Sequence, residues 1–254
     1  LDAGSGIRAA FSPNDGAVDP VLATRTLLNA AERLGATVRF PVELVGVNLS
    51  AGRLTGVETS AGRITADRLV LATGAASHAP GQFAAIDIPQ RSTPGVIVVT
   101  RPLPTLLHRI VAAPGVHMHQ RQDGRMVLGE QAGAPNTEKH DLRLRAMPND
   151  FPSEALADQH AARILAMAAS FLPGASAADV ESVYIGWRPL PLDGHPVLGA
   201  SPARRDVYLA ITHSGVSLAP IVGQLMATEL IGGDPLDGLS EYRPGRAFER
   251  IKRY

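Results

Sequence analysis

Cysteine is absent from this chain. That absence removes disulfides, thiolate metal sites, a cysteine nucleophile and any cysteinyl link to a prosthetic group, and it leaves the redox compartment open. Net charge is absent as well, 24 basic side chains balancing 24 acidic ones. Arg far outnumbers Lys, but the arginines are scattered and form no basic stripe. Neither nucleic acid nor an anionic membrane surface is therefore an expected partner. No apolar run reads as long enough to span a bilayer. The opening LDAGSGIRAA has no initiator Met and no signal-peptide pattern, so the expectation is a start inside a longer, cytoplasmic protein, with a lost targeting segment left open. What is present is 254 residues, enough to bury a sizeable core as one large domain or two small ones.

Asp19-Pro20 reads as a helix start, an N-cap acceptor followed by Pro at the first helical position. Leu27, Leu28, Ala31 and Leu34 recur on one face, and Gly35 ends the helix. Ala36–Phe40 follows as a short strand, the order of a nucleotide-binding α/β sheet. Val42–Val47, Arg53–Thr59 and Gly62–Ala66 alternate between small turns and predict an antiparallel meander. Leu69–Ala72 is continuously apolar and stops at Thr73-Gly74, which suits a strand buried on both faces whose end lies where ligands sit.

From about Pro80 the texture changes, with more Pro and no helix signal. Gly95–Thr100, Val116–Gln120 and Arg125–Glu130 predict antiparallel strands, with a hairpin turn at Gln122-Asp123-Gly124. Residues 131–150 read as loop. Ser153 caps a helix through Phe171, closed by Pro173-Gly174. Val180–Pro189 and Val207–Thr212 are expected strands. Leu218, Ile221, Val222, Leu225, Met226 and Leu230 trace a helical face ended by Gly232-Gly233, and a last short helix is expected between Tyr242 and Tyr254.

Gly4-Ser5-Gly6-Ile7-Arg8-Ala9 formally matches G-x-G-x-x-A. It fails as a dinucleotide fingerprint because too few residues precede it to make a strand and a turn, not a helix, follows. His117-Met118-His119 puts two imidazoles on one strand face, but no carboxylate follows at the spacing a metal site needs, so no metal is expected. His195 is expected to be exposed in a turn. Arg188 precedes Pro189, which biases its backbone to the extended region and sends its side chain to the face opposite Trp187. A guanidinium there serves either a structural ion pair or a ligand carboxylate. Thr212-His213-Ser214-Gly215-Val216-Ser217 leads into a helix. It is either an ordinary turn with Ser217 as N-cap or a set of backbone donors for an anion.

Together these segments resemble the D-amino-acid oxidase and glycine/sarcosine oxidase family of FAD-dependent amine oxidoreductases. The residues that carry the likeness are Asp19-Pro20 with Gly35-Ala36-Thr37-Val38, Leu69–Ala75, Gly124–Gly129, and Gly186-Trp187-Arg188-Pro189 with Asp193-Gly194, Pro196–Gly199 and His213-Ser214-Gly215. The resemblance implies an α/β fold, α+β overall: an incomplete FAD-binding Rossmann-type domain plus an antiparallel-sheet substrate domain. The expected parts are a substrate-domain edge (1–17), part of the FAD-binding domain (18–80), the substrate domain (81–185) and the FAD-binding return with its C-terminal helix (186–254).

By the same resemblance Val42 touches the adenine end of FAD, and Thr73, Gly74 and Ala75 line its adenosine and pyrophosphate. Gly186 and the turn His213, Ser214, Gly215, Val216 and Ser217 face the flavin ring. Arg188 holds the substrate carboxylate, and His117 stands at a pocket position. The implied partners are a small carboxylate-bearing amine and O2 or another electron acceptor. The family's first strand, its true G-x-G-x-x-G and its acidic ribose ligand are expected before residue 1, either in a longer protein or on another chain. Two other functions remain open on sequence alone: a non-catalytic or partner-completed subunit of a flavoprotein, and a carboxylate-binding protein without redox chemistry.

Overall fold

A computed structural model describes residues 9–76, 79–130 and 150–249, without the side chains of 91–93. The rejected glycine motif up to Arg8 and nearly all of the expected 131–150 loop lie outside these residues. The chain forms two compact units, Leu1–Asp19 with Thr93–Trp187, and Pro20–Ser92 with Arg188–Tyr254.

The second unit opens with α1 (Pro20–Arg33), which starts at the proline as its fixed φ favours. The meander follows as β1 (Leu44–Ser50), β2 (Arg53–Thr59) and β3 (Gly62–Ile64), paired antiparallel in that order. A second three-stranded sheet holds β4 (Leu69–Leu71), β10 (Val197–Ala200) and β11 (Val207–Ile211) in the order β10-β11-β4, with β11 and β4 parallel. Its two faces are buried by alternation along β11. Val207, Leu209 and Ile211 pack with Leu71, Val197 and the short helix α2 (Ala79–Ala84), whereas Tyr208 and Ala210 face Met226 and Leu225. Met226 and Leu225 belong to α4 (Gly215–Gly232), which ends at Gly233 in the left-handed conformation, its N–H donating to Glu229 O. Asp206 joins the two sheets of this unit. Its carboxylate accepts from the Leu54 N–H and pairs with Arg53, and its carbonyl accepts from the Leu69 N–H.

The first unit holds a five-stranded sheet in the order β6-β7-β8-β5-β9, from β5 (Gln90–Thr100), β6 (Val111–Ala113), β7 (Val116–Gln120), β8 (Met126–Glu130) and β9 (Val180–Pro191), of which Gln90–Ser92 and Arg188–Pro191 belong to the second unit. One face packs against α3 (Glu154–Phe171), where Val96, Val98, Val116, Met118, Met126 and Leu128 meet Ala161, Ile164 and Ala168. The Ser153 Oγ caps α3 by accepting from the Leu156 N–H, as expected. Gln120 brackets the preceding loop. Its amide oxygen accepts from the N–H groups of Leu106 and Leu107, while its amide nitrogen donates to the carbonyls of Leu103, Pro104 and Gly124. Gln120→Ala is expected to destabilise this unit by about 1–3 kcal/mol, since those backbone groups lose partners. Urea unfolding of the variant checks this.

Several expectations are corrected. Residues 36–40 form no strand; Phe40 is 92% exposed, and no described strand pairs with this segment to satisfy its backbone. β4 is an edge strand with Val70 partly exposed, not one buried on both faces. α2 forms where no helix signal was read, because Pro80 stands in its first turn, where a missing N–H costs nothing. β6 and β10 were also unread; each exists through pairing with its neighbour. Residues 243–249 are not helical, the chain instead making a 3-10 helix at Asp237–Tyr242 that stops before Pro244.

The membrane expectation also changes. α4 is long and apolar enough to cross a bilayer by length and composition, at mean hydropathy 1.3. It nevertheless carries Pro220, Gln224 and a buried Glu229 ion-paired to Arg243.

Candidate functional site

The parallel register sets Leu71 beside Leu209, so β4 and β11 end on the same edge of their sheet. Residues 72–75 leave one strand there and 212–214 leave the other. Carboxyl-end edges of this kind are where open α/β sheets bind ligands. Two local features suit a polar ligand. The Thr73 hydroxyl oxygen is buried without a hydrogen-bond partner among the described residues. Gly74 has φ +55, and no atom lies within 4 Å of where a Cβ would stand.

α4 begins at Gly215, three residues earlier than its apolar face suggests, so Gly215, Val216 and Ser217 form its first turn. The N-cap is Ser214, not Ser217. Ser214 is held at φ +60, a strained conformation for a residue with a side chain. Its hydroxyl contacts the His213 Nδ1 at 2.9 Å instead of capping the helix. The N–H groups of the first turn thus have no side-chain cap, and the positive end of the helix dipole opens where Gly215 leaves space beyond its Cα.

Arg188 lies half-buried on β9. No carboxylate of the described residues stands within ion-pairing distance of it. Its charge does reach His213. Burial first, and the Arg188 guanidinium second, push the His213 imidazole below its ordinary value. A histidine depressed in the folded state is protonated more readily in the unfolded chain. Its contribution to stability is therefore full above the ordinary histidine range and is lost as pH falls through the ordinary value toward the folded one. An NMR titration is expected to give a low midpoint for His213, rising toward the ordinary value in Arg188→Ala.

The remaining named positions are dispersed. Val42 is half-buried between the cis Phe40–Pro41 bond and β1. Gly186 lies on β9 in the first unit, with open space where a Cβ would be. His117 sits on β7, also in the first unit. Its neighbour on the same face, His119, is held low by burial and then by Arg121. His195 is exposed, as expected. No group of three metal-ligating side chains occurs among the described residues.

Two features went unread in the sequence. Asp193 is bidentate to Arg246, whose guanidinium also lies 4.4 Å from the Phe248 ring centroid. Burial raises the Asp193 carboxyl, and the hydrogen bonds from Arg246 and the His195 N–H outweigh it, leaving it below the usual range. The second is the space Gly129 gives to His117; the only sequence signal was that His117 and Gly129 lie on adjacent expected strands.

Residues 2–229 match the family described as FAD dependent oxidoreductase. This chain belongs to the DAO family of FAD-dependent oxidoreductases. A glycine oxidase of Pseudomonas putida is 28% identical over 82% of this chain and 53% of its own length. A glycine oxidase of Geobacillus kaustophilus is 26% identical over 86% of this chain and 55% of its own. Among solved structures, the L-proline dehydrogenase of P. horikoshii superimposes at a TM-score of 0.73 and 20% identity, covering 89% of this chain and 59% of that one. That last likeness is one of fold. This DAO-family chain spans about half the length of the curated relatives it matches. The orphaned Thr73 hydroxyl, the open Gly74 and Gly215 and the uncapped start of α4 together fit a large phosphate-bearing cofactor such as the family's FAD.

Proposed function

We propose that this chain carries the substrate clamp and the ring-binding turn of an FAD-dependent enzyme that oxidises the C–N bond of an amino acid or secondary amine. The observation that carries the reading is Arg188: half-buried, without a carboxylate partner among the described residues, and electrostatically coupled to His213 beside the uncapped α4. A half-buried guanidinium left without a carboxylate favours one brought by a ligand. Relatives named glycine oxidase and dimethylglycine dehydrogenase support an amine bearing a carboxylate.

When bound, FAD would supply the hydride acceptor for oxidation of the substrate C–N bond to an imine, which water would hydrolyse. The chain's own residues bind and orient. Arg188 fixes the carboxylate with its planar fork and so places the Cα–H. The first-turn N–H groups of α4 stabilise negative charge that develops beside them. Within the second unit, Thr73, Gly74 and Ala75 would hold the adenosine and pyrophosphate, and Val42 would meet the adenine.

Anaerobic addition of glycine, an N-alkyl glycine or another amino acid to the flavin-loaded protein tests this. Bleaching of the flavin absorbance is expected; a carboxylate-binding protein without redox chemistry would leave it unchanged. Reoxidation in air against reoxidation by an artificial dye then separates an oxidase from a dehydrogenase.

A second reading is a subunit whose flavin site another chain completes. It is favoured by α1, which buries none of its side chains; Leu22 and Leu27 are each 64% exposed. Copurification of a second polypeptide required for flavin retention would support this reading, and stable FAD binding by the protein alone would end it.

A further inference from the structure

We propose that Arg246 is a positioning residue for the cofactor edge: gripped by Asp193, it sets the Phe248 ring against the apolar cluster on which the turn after β4 is anchored. The proposal rests on the reading of Thr73, Gly74 and Ala75 as cofactor-binding residues. Every residue it uses belongs to the second unit.

Asp193 stands in the turn between β9 and β10, and its two oxygens accept from Nε and Nη2 of Arg246 at 2.7 and 3.0 Å. The same guanidinium donates to the carbonyls of His195 and Arg243. Bonds in so many directions fix the plane of the fork. That plane lies over the Phe248 ring, with Cζ 4.4 Å from its centroid. Phe248 is half-buried and packs against the cluster that includes Leu71, Phe83, Leu209 and Ile211. The ring therefore meets both the guanidinium and the core.

Ala76 packs against that same cluster. Its N–H donates to the Thr73 carbonyl at 3.1 Å, which closes the turn holding Gly74 and Ala75. One cluster thus supports the turn after β4 and the segment 243–249. That segment forms no helix or strand. The Arg243–Glu229 pair fixes its start, and the Arg246–Asp193 pair fixes the part that carries Phe248. Loosening Arg246 frees the ring, and a cluster without the ring holds Ala76 less firmly. Lysine at 246 would keep the charge, but a point charge cannot span both oxygens and stack on the ring.

The test titrates FAD into wild type, Arg246→Lys, Phe248→Ala and Met226→Ala, each with any chain that copurifies. Met226→Ala removes a buried side chain from the opposite face of the same sheet and serves as the control for stability alone. Phe248→Ala is expected to raise the FAD Kd about ten-fold and Arg246→Lys about three-fold, since apparent affinity falls with the fraction of molecules whose turn is formed. Met226→Ala should leave it unchanged. An unchanged Kd in Phe248→Ala or in Arg246→Lys, or an equal rise in Met226→Ala, overturns the proposal.

Hydrogen exchange of the flavin-free proteins reads the turn itself. In Phe248→Ala the Ala76 amide should exchange at nearly the rate of an unstructured peptide, while the amide of Leu209 on the central strand stays protected. Equal acceleration of both amides, or a slow Ala76 amide in every variant, overturns the positioning argument. A fast Ala76 amide with FAD affinity unchanged, or with no FAD bound even by wild type, overturns the proposal through its cofactor reading, and so separates that failure from a failure of the packing argument.

Discussion

Arg188→Ala is expected to raise KM for carboxylate-bearing amines roughly thirty- to thousand-fold, equivalent to about 2–4 kcal/mol, while the protein keeps its flavin. The size of the effect comes from the substrate, whose carboxylate would be desolvated without its partner. The half-buried guanidinium has no carboxylate competing for it among the described residues, so its removal should cost the fold little. Arg188→Lys keeps the charge but loses the planar fork, and should recover only part of the loss. Steady-state kinetics beside a flavin absorbance spectrum separate clamp from cofactor. An unchanged KM with the spectrum intact would end the assignment.

The largest expected effect on stability lies elsewhere. Glu229 on α4 is 3% exposed, and Arg243 holds both of its oxygens at 2.8 Å while donating to Leu236 O. Arg243→Ala leaves a buried carboxylate without its cation, a change that typically costs about 3–5 kcal/mol. That is a large share of the stability of a domain this size. Gly199 provides an independent route to the same contact. Its φ is +112, and a Cβ there would overlap the Arg243 guanidinium, so Gly199→Ala should also destabilise. Chemical unfolding with Arg243→Ala and the paired Glu229→Gln/Arg243→Met variant gives the comparison. The paired change should cost much less than the single one, because no charge remains to be buried alone.

Patterns set by local periodicity were legible in the sequence. The meander, β7, β8, β11, α3 and the apolar face of α4 all follow from alternation or helical spacing confined to a few consecutive residues. Elements that depend on a paired strand rather than on a pattern of their own were not. β10 is four residues that make sense only beside β11, and residues 36–40 look like a strand yet lack a neighbour to bond. α2 was hidden by Pro80, since proline marks both helix starts and helix breaks. The same division holds for the candidate site. Arg188, Thr73 and the 213–217 turn are candidates that short motifs single out, while the DAO-family match extends over residues 2–229. Whether Arg188 meets a carboxylate of its own chain is a fact of three-dimensional neighbours, as is the Asp193–Arg246 pair, and neither is written in local spacing.

Both compact units are assembled from pieces far apart along the chain, and this shapes how the protein must form. The parallel pairing sets Leu69 against Val207, with most of the first unit's residues between them. Closing so long a loop carries an entropic cost that no local contact repays in advance. The stretch from Thr93 to Trp187 can collect its strands and α3 as soon as it leaves the ribosome. The pairing of β4 must wait until β11 has been made, and until then its apolar edge stays open to other chains. Folding yield, more than the stability of the finished protein, should therefore depend on temperature and protein concentration during expression.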